Sequence, residues 1–145
     1  LRFRILRFFT VYGPWGRPDM ALFKFTKNML ENKAIDVYNN GKMVRDFTYI
    51  DDIVSGFISA INLDRSFEII NLGCGEPVEL MQFINLIEKE LGIEAKKNYL
   101  PLQPGDVPAT MADISKAQKL LNYKPSVTVA EGIPSFINWY KKFYV

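Results

Sequence analysis

The chain has 145 residues, of which 48% are hydrophobic and 23% are charged, and its formal net charge at pH 7 is +2. This length and composition are typical of one soluble domain with a packed core, and the small, scattered positive charge argues against nucleic-acid binding. Because the chain contains no histidine, catalysis by Ser-His-Asp or Cys-His groups and nearly every zinc site are excluded.

The cysteine content and the hydropathy pattern bear on the protein's surroundings. Cys74 is the single cysteine and cannot form an internal disulfide, which favours a reducing, cytoplasmic compartment. We interpret it as an inert, small apolar residue. No apolar run reaches the roughly 18 residues of a membrane span, so we expect no membrane association.

The first predicted elements are a strand and a helix. Residues 1–9 alternate apolar and basic side chains and then become wholly apolar, which predicts a strand that is buried in a larger sheet. A loop rich in glycine and proline follows over residues 10–18. Apolar residues then recur on one face of a predicted helix over residues 20–31. Since the chain opens inside an apolar run without methionine, we expect a fragment.

The middle of the chain carries turn and cap signals. An Asn-Asn-Gly sequence at residues 39–41 separates two apolar runs, and Asn-Gly readily adopts positive φ at both centres of a turn, so we expect a β-hairpin. Asp51 or Asp52 is expected to cap the helix that follows. The other predicted elements are a helix over 53–63, a strand over 67–72, a helix over 80–91 ending at Gly92, a strand over 94–100, and helices over 115–121 and 129–143.

Four segments of the chain together carry a resemblance to a known family. They are FFTVYGPWGRPD at residues 8–19, GKMVRDFTYIDD at 41–52, QPGD at 103–106 and the Trp-Tyr pair at 139–140. In this order they resemble the extended short-chain dehydrogenases of the NAD-dependent epimerase and dehydratase family. The first segment, continued to residue 23, is similar to UDP-glucuronate 4-epimerases in particular.

The resemblance implies the fold class of this chain and the activity of a longer enzyme of which the chain would be a part, here called the parent. The fold is α/β, and residues 1–145 are one fragment: a carboxy-terminal substrate-binding lobe with a residual Rossmann strand at 1–9, the NAD-binding half being absent. The parent interconverts UDP-glucuronate and UDP-galacturonate by oxidation at C4, rotation and re-reduction, and is a homodimer. The chain alone is expected to be inactive and not to hold NAD, because the glycine-rich loop and the catalytic Tyr-Lys pair lie outside it.

The resemblance also assigns the nucleotide contacts. Arg45 is expected on the diphosphate, because a planar guanidinium forms two parallel charge-assisted bonds with such a group. A surface contact between Arg45 and Asp46 is the alternative. The resemblance puts Asp106 on the ribose hydroxyls, and Gln103 stands where many relatives have a further arginine. Lining the uracil are Asp36, Val37 and Tyr38.

The resemblance places the sugar and the cofactor beside the first of the four segments, residues 8–19. Arg17 with Thr10 is expected to hold the carboxylate of a uronic acid; a hydrogen bond to a charged group contributes about 1.5–3 kcal/mol, or roughly ten- to a hundredfold discrimination. A solvated loop arginine is the alternative. By resemblance, Tyr12, Gly13 and Pro14 pass the nicotinamide end of NAD.

Three other patterns are interpreted as incidental. The Tyr-x-x-x-Lys match at residues 38–42 spans a turn rather than a helix, Gly73-Cys74-Gly75 lacks the third glycine of a dinucleotide loop, and Asp51-Asp52 has no third metal ligand. Two other functions stay open: a UDP-hexose 4-epimerase or nucleotide-sugar 4,6-dehydratase of the same fold, and a non-catalytic nucleotide-sugar-binding module.

Overall fold

The structure is a computed structural model that describes residues 3–145. It is mixed α/β, as predicted. The strands are β1 (Phe3–Phe8), β2 (Thr10–Tyr12), β3 (Ile35–Val37), β4 (Val44–Arg45), β5 (Phe47–Tyr49), β6 (Phe67–Leu72), β7 (Val78–Glu79) and β8 (Lys97–Tyr99). The helices are α1 (Ala21–Leu30), α2 (Ile50–Ile61), α3 (Leu80–Leu91), α4 (Ser115–Leu121) and α5 (Val129–Tyr144).

The strands pair in twos. Three pairs are parallel, namely β1 with β6, β2 with β5 and β3 with β8, and β4 pairs antiparallel with β7. The strand predicted over 1–9 is confirmed over residues 3–8, and its first two residues lie outside the described part of the chain. The short strand β2 lies where a loop was predicted, because residues 10–12 pair with β5.

Local signals placed the helices well. The helices α1, α3, α4 and α5 lie within one or two residues of their predicted bounds. The helix α3 ends at Gly92, whose φ of 68° is the left-handed conformation expected after a helix. At the start of α5, Thr128 and Glu131 form the predicted capping box. Within residues 3–145, every helix is too short or too polar to cross a membrane.

The predicted hairpin around residues 39–41 is wrong. Asn39 and Asn40 do have positive φ, 51° and 49°, but residues 38–41 form a short 3-10 turn and the flanking strands do not pair with each other. Instead β3 pairs with β8, and β4 pairs with β7. The turn is a local property that the sequence predicts, whereas the partners are set by burial: Ile35 and Val37 are fully buried beside β8.

The predicted aspartate cap of α2 is also wrong. The helix begins at Ile50, three residues early, and its N-cap residue Tyr49 makes no side-chain capping bond. Asp52 is buried, and its carboxylate accepts hydrogen bonds from the backbone N–H groups of Ser126 and Val127, each at 3.1 Å. It therefore attaches the segment before α5 to α2, a contact between residues far apart in sequence.

Two apolar clusters fill the interior. The larger, which we call the lobe core, lies between α1, α3, α5 and the strands β2, β3 and β5. The smaller lies between α2, α4 and the β1–β6 pair, and we call these four elements the β1–β6 layer. In the lobe core, the rings of Phe47 and Phe83 stack with centroids 3.9 Å apart.

Candidate functional site

A cavity of about 440 Å³ opens beside the carboxyl ends of β1 and β2. Ligands of open α/β sheets bind outside the carboxyl ends of the strands, so this is the expected side of the molecule. The wall of the cavity is mostly apolar. It is lined by Phe8, Phe9, Val11, Tyr12, Gly13, Pro14, Trp15, Gly16, Arg17, Met20, Ile50 and Ile53.

The loop that carries Arg17 is fixed by close backbone contacts. Gly13 has a φ of 136°, and a Cβ built there would lie 2.6 Å from Cγ2 of Ile50, so only glycine fits. The backbone N–H of Gly16 donates to the carbonyl of Gly13 at 3.1 Å, and that of Met20 donates to the carbonyl of Arg17. These two turns position Arg17 at the wall of the cavity.

Arg17 is bound to Asp19 in this structure. Its Nε and Nη2 donate to the two carboxylate oxygens of Asp19 at 3.0 and 2.5 Å, and the pair lowers the pKa of the Asp19 carboxyl. The two side chains are 75% and 57% exposed, so the ion pair contributes little to stability. Arg17 is thus exposed to solvent, a feature of the alternative in which it is a solvated loop arginine. It also lines the cavity.

Thr10 lies close to the same place. Its backbone N–H donates to the carbonyl of Asp46 at 3.1 Å, which completes the β2–β5 pairing. Thr10 and Arg17 both line a small cavity of about 20 Å³. Thr10 also lines a wider one of about 380 Å³ together with Arg7 and Thr110. The structure therefore brings Thr10 and Arg17 to one wall.

The ring of Tyr12 points into the lobe core. Its hydroxyl donates to the carbonyl of Thr128 at 3.1 Å, and its ring packs edge-on against those of Phe47 and Tyr49. Burial raises the pKa of this phenol well above its ordinary value. Tyr12 is therefore unsuited to proton transfer near neutral pH, and a cofactor in the cavity would meet its backbone and Gly13.

Arg45 and Asp106, which are 61 residues apart in sequence, form an ion pair. Nη2 of Arg45 lies 2.7 Å from Oδ1 of Asp106. Arg45 thus pairs with the other residue predicted to bind the nucleotide and not with its neighbour Asp46, which was the alternative. The fold thus brings a guanidinium and a carboxylate from distant parts of the sequence into direct contact.

Asp46 is a residue that the sequence reasoning missed. It is fully buried, and its carboxylate accepts hydrogen bonds from the backbone N–H groups of Cys74 (2.7 Å), Gly75 (2.9 Å) and Ala112 (2.9 Å). A second charged residue beside Arg45, inside a run predicted to form a strand, was the available signal, because a buried charge needs partners. Asp46 holds two loops next to Arg45.

The turn at residues 73–75 behaves as predicted. It follows β6, and two of its backbone N–H groups bind the carboxylate of Asp46, a contact that a phosphate would make in a dinucleotide loop. Burial raises the pKa of the Cys74 thiol. A thiol with a raised pKa is a poor nucleophile, which agrees with its interpretation as a small apolar residue.

The predicted uracil segment lies beside β8. Val37 is buried, Tyr38 is half-buried, and the exposed Asp36 accepts a hydrogen bond at 2.9 Å from the side chain of Asn98. The backbone N–H of Asn40 donates to the carbonyl of Leu100. The parallel β3–β8 pair thus places residues 36–38 next to the start of the loop that carries Asp106. Their contact with uracil stays a prediction.

Comparisons with known proteins show which family the chain resembles. Residues 1–73, just over half of the chain, match the NAD dependent epimerase/dehydratase family. A protein of Methanocaldococcus jannaschii is 61% identical over 93% of this chain and 41% of its own length. The UDP-glucuronate 4-epimerase of Thermodesulfobacterium geofontis is 47% identical over 95% of this chain and 43% of its own.

Solved structures give the same result. The UDP-glucuronic acid 4-epimerase from Bacillus cereus, in complex with UDP-glucuronic acid and NAD, superimposes with a TM-score of 0.91 and is 42% identical, over 97% of this chain and 45% of that one. MoeE5, in complex with UDP-glucuronic acid and NAD, has a TM-score of 0.93 at 30% identity, over 97% of this chain and 48% of that one. The chain spans less than half the length of these relatives, and it belongs to the NAD dependent epimerase/dehydratase family.

Proposed function

We propose that this chain is the nucleotide-sugar-binding part of a longer NAD-dependent enzyme that interconverts UDP-glucuronate and UDP-galacturonate by inversion at C4. The observation that carries the proposal is the convergence of Arg45 and Asp106 at 2.7 Å in a chain that is 42% identical to a structure with UDP-glucuronic acid and NAD bound. Arg45 would bind the diphosphate, Asp106 the ribose hydroxyls, and the segment at 36–38 the uracil.

The sugar would lie between the diphosphate site and the loop at residues 13–18. A uronic acid carries a carboxylate that a neutral hexose lacks; Arg17 offers a guanidinium on the wall of the 440 Å³ cavity, and Thr10 lies near it, since both residues line the adjacent small cavity of about 20 Å³. A second hydrogen bond from the Thr10 hydroxyl would orient the carboxylate. Because the Arg17–Asp19 pair is exposed and weak, a substrate carboxylate can compete with Asp19 for the guanidinium.

The cavity suits one end of NAD. Its apolar wall around Phe8, Pro14 and Ile50 matches a flat ring, and Gly13 lets the backbone approach closely. When bound, NAD would supply the hydride acceptor and donor for C4. The chain contains no glycine-rich phosphate loop, so we expect the rest of the cofactor to be held by an amino-terminal part, and residues 3–145 alone to be inactive.

The proposal is tested on the full-length enzyme supplied with NAD. UDP-glucuronate and UDP-glucose are incubated with it separately, and the anomeric protons of the sugar are followed by NMR. Formation of UDP-galacturonate from the acid alone is the expected result. Conversion of UDP-glucose at a similar rate, or of neither sugar, would contradict the proposed substrate.

Changing Arg17 tests the selectivity. Arg17→Gln is expected to lower kcat/KM for UDP-glucuronate by roughly ten- to a hundredfold, because a hydrogen bond to a charged group contributes about 1.5–3 kcal/mol. Lys27→Gln is the matched control, since it removes an exposed cation from α1 that does not line the cavity. Equal losses of kcat/KM in the two variants would mean that Arg17 is an ordinary loop residue.

One alternative has an observation in its favour. MoeE5 is also known in complex with UDP-glucose and NAD, again with a TM-score of 0.93. A neutral hexose is therefore the second candidate substrate, and the NMR experiment separates the two. A non-catalytic nucleotide-sugar-binding module would bind UDP-sugars in the full-length protein and turn over neither of them.

A further inference from the structure

The guanidinium of Arg45 is held on one side by the loop that follows β8. Its Nη1 donates to the carbonyl of Val44 at 2.9 Å and to the carbonyl of Pro108 at 3.2 Å, and its Nη2 donates to Asp106. The Arg45 side chain is only 16% exposed, whereas that of Asp106 is 37% exposed. An arginine with three anchored hydrogen bonds has little of its usual rotamer freedom.

Asp106 is itself fixed without help from Arg45. Its Oδ1 accepts a hydrogen bond from the backbone N–H of Val107 at 2.9 Å, and its own backbone N–H donates to the carbonyl of Gln103 at 3.1 Å. Gly105, with a φ of 83°, allows the tight turn between these two residues. Asp106 is therefore the fixed partner of the pair, and Arg45, with its long flexible side chain, is the partner that is positioned.

The loop is also attached to β4, from which Arg45 projects. The backbone N–H of Val44 donates to the carbonyl of Pro108 at 2.9 Å, and that of Thr110 donates to the carbonyl of Val44 at 3.1 Å. The carbonyl of Pro108 thus receives both a backbone and a guanidinium donor. Within residues 3–145, the side-chain hydrogen bonds of Arg45 all come from its Nη atoms, so the Nε–H is left for an incoming anion.

From this geometry we propose that Asp106 is a positioning residue for Arg45, in addition to the ribose contact that the proposed function gives it. By holding Nη2 before any ligand arrives, Asp106 removes most of the ordering cost that a free arginine incurs on binding a diphosphate. The inference rests on the proposed function, because it assumes that a uridine diphosphate group binds beside Arg45.

A competing effect has the opposite sign. The negative charge of Asp106 also repels a diphosphate and partly neutralises Arg45, so its removal would strengthen UDP binding if charge dominated. Asp106 is over one-third exposed, and the high dielectric constant of the adjacent water weakens its repulsion of a bound diphosphate. Loss of positioning should therefore dominate.

The test separates a contact with ribose from an effect on the diphosphate. Affinities of the NAD-loaded full-length enzyme are measured for UDP by calorimetry and for uridine by competition against UDP, at physiological salt. Both ligands contain the ribose, so a residue that touches only ribose changes both affinities equally. In Asp106→Asn we expect the ratio of UDP affinity to uridine affinity to fall about fivefold, a change of about 1 kcal/mol.

Two further variants control the measurement. Glu94→Gln removes an exposed carboxylate elsewhere on the lobe and should leave the ratio unchanged. In an Arg45→Ala background, Asp106→Asn should no longer change the ratio, because the residue through which it acts is gone. Thermal unfolding of each variant verifies that the loop change has not unfolded the protein.

The outcomes are distinct. A ratio that falls in Asp106→Asn but not in the Arg45→Ala background supports positioning. A ratio that is unchanged means that Asp106 acts on ribose alone, and a ratio that rises means that it competes with the diphosphate; either result overturns the inference while leaving the proposed function intact. If the unmodified enzyme binds neither UDP nor uridine, the proposed function fails and the inference fails with it.

Discussion

The lobe core and the β1–β6 layer differ in how they meet the surface. In the lobe core, α3 and α5 bury several large apolar side chains almost completely, among them Phe83, Phe136 and Ile137. In the β1–β6 layer, apolar side chains of both strands stay 41–50% exposed; they are Phe3, Ile5, Phe8, Phe67 and Ile69. The lobe core therefore buries its apolar side chains within this chain, whereas the β1–β6 layer leaves an apolar surface exposed.

The helix α2 shows what this difference means. One of its faces packs inward through Ile53 and Ala60, while a second apolar stripe at helical spacing stays exposed, formed by Val54, Phe57, Ile58 and Ile61. A helix that is apolar on most of its circumference is normally covered on both sides. A sheet of parallel strands is likewise normally covered on both faces. This layer therefore fits the proposed longer enzyme, in which further elements would cover it.

The largest expected effect contrasts two phenylalanines in helices of the two regions. Phe136→Ala should lower the free energy of unfolding by about 3–5 kcal/mol, because it leaves a cavity in the lobe core. Phe57→Ala makes the same chemical change on the exposed stripe and should lie within about 0.5 kcal/mol. Urea unfolding of the chain at low concentration gives both values. Equal losses would contradict the contrast between the two regions.

A smaller effect tests the link between the regions. Asp52→Ala removes the acceptor of two partly buried backbone hydrogen bonds in the segment before α5, and a hydrogen bond to a charged group contributes about 1.5–3 kcal/mol. We expect a loss of about 2–4 kcal/mol in the free energy of unfolding. Asp51→Ala removes the neighbouring, exposed carboxylate and should cost less than about 1 kcal/mol. A larger loss of unfolding free energy in Asp51→Ala than in Asp52→Ala would favour the interpretation that an aspartate caps α2.

The smallest expected effect lies at the first turn of α5. Thr128→Ala removes half of the capping box and should cost about 1 kcal/mol; Ser135→Ala, an exposed hydroxyl later in the same helix, is the control. The bonds from Thr128 lower the pKa of Glu131. A lowered pKa stabilises the folded state above the ordinary pKa of a glutamate, and this contribution is lost as the pH falls through the lowered value. Stability of the variant should therefore depend less on pH below about pH 5.

Much of the local structure could be predicted from the sequence. Periodicity located the helices α1, α3, α4 and α5, and the capping box and Gly92 set two of their ends, because these signals act over a few residues. The positive φ of Asn40 and Gly41, 49° and 81°, was foreseen for the same reason. The choice of strand partners was not, since β3 with β8 and β4 with β7 join segments distant in sequence and depend on which side chains the core buries.

The candidate site shows the same division between what the sequence predicts and what only the tertiary structure decides. The resemblance to a known family nominated Thr10, Arg17, Arg45 and Asp106 as binding residues, and residue type added only that the two arginines carry a charge suited to a carboxylate or a diphosphate. Only the tertiary structure decided which of them meet: Arg45 with Asp106 rather than Asp46, Arg17 with Asp19, and the buried Asp46 with the backbone of two loops. Such contacts depend on where the chain returns after dozens of residues, and buried charges accept only partners that the fold brings within hydrogen-bonding distance.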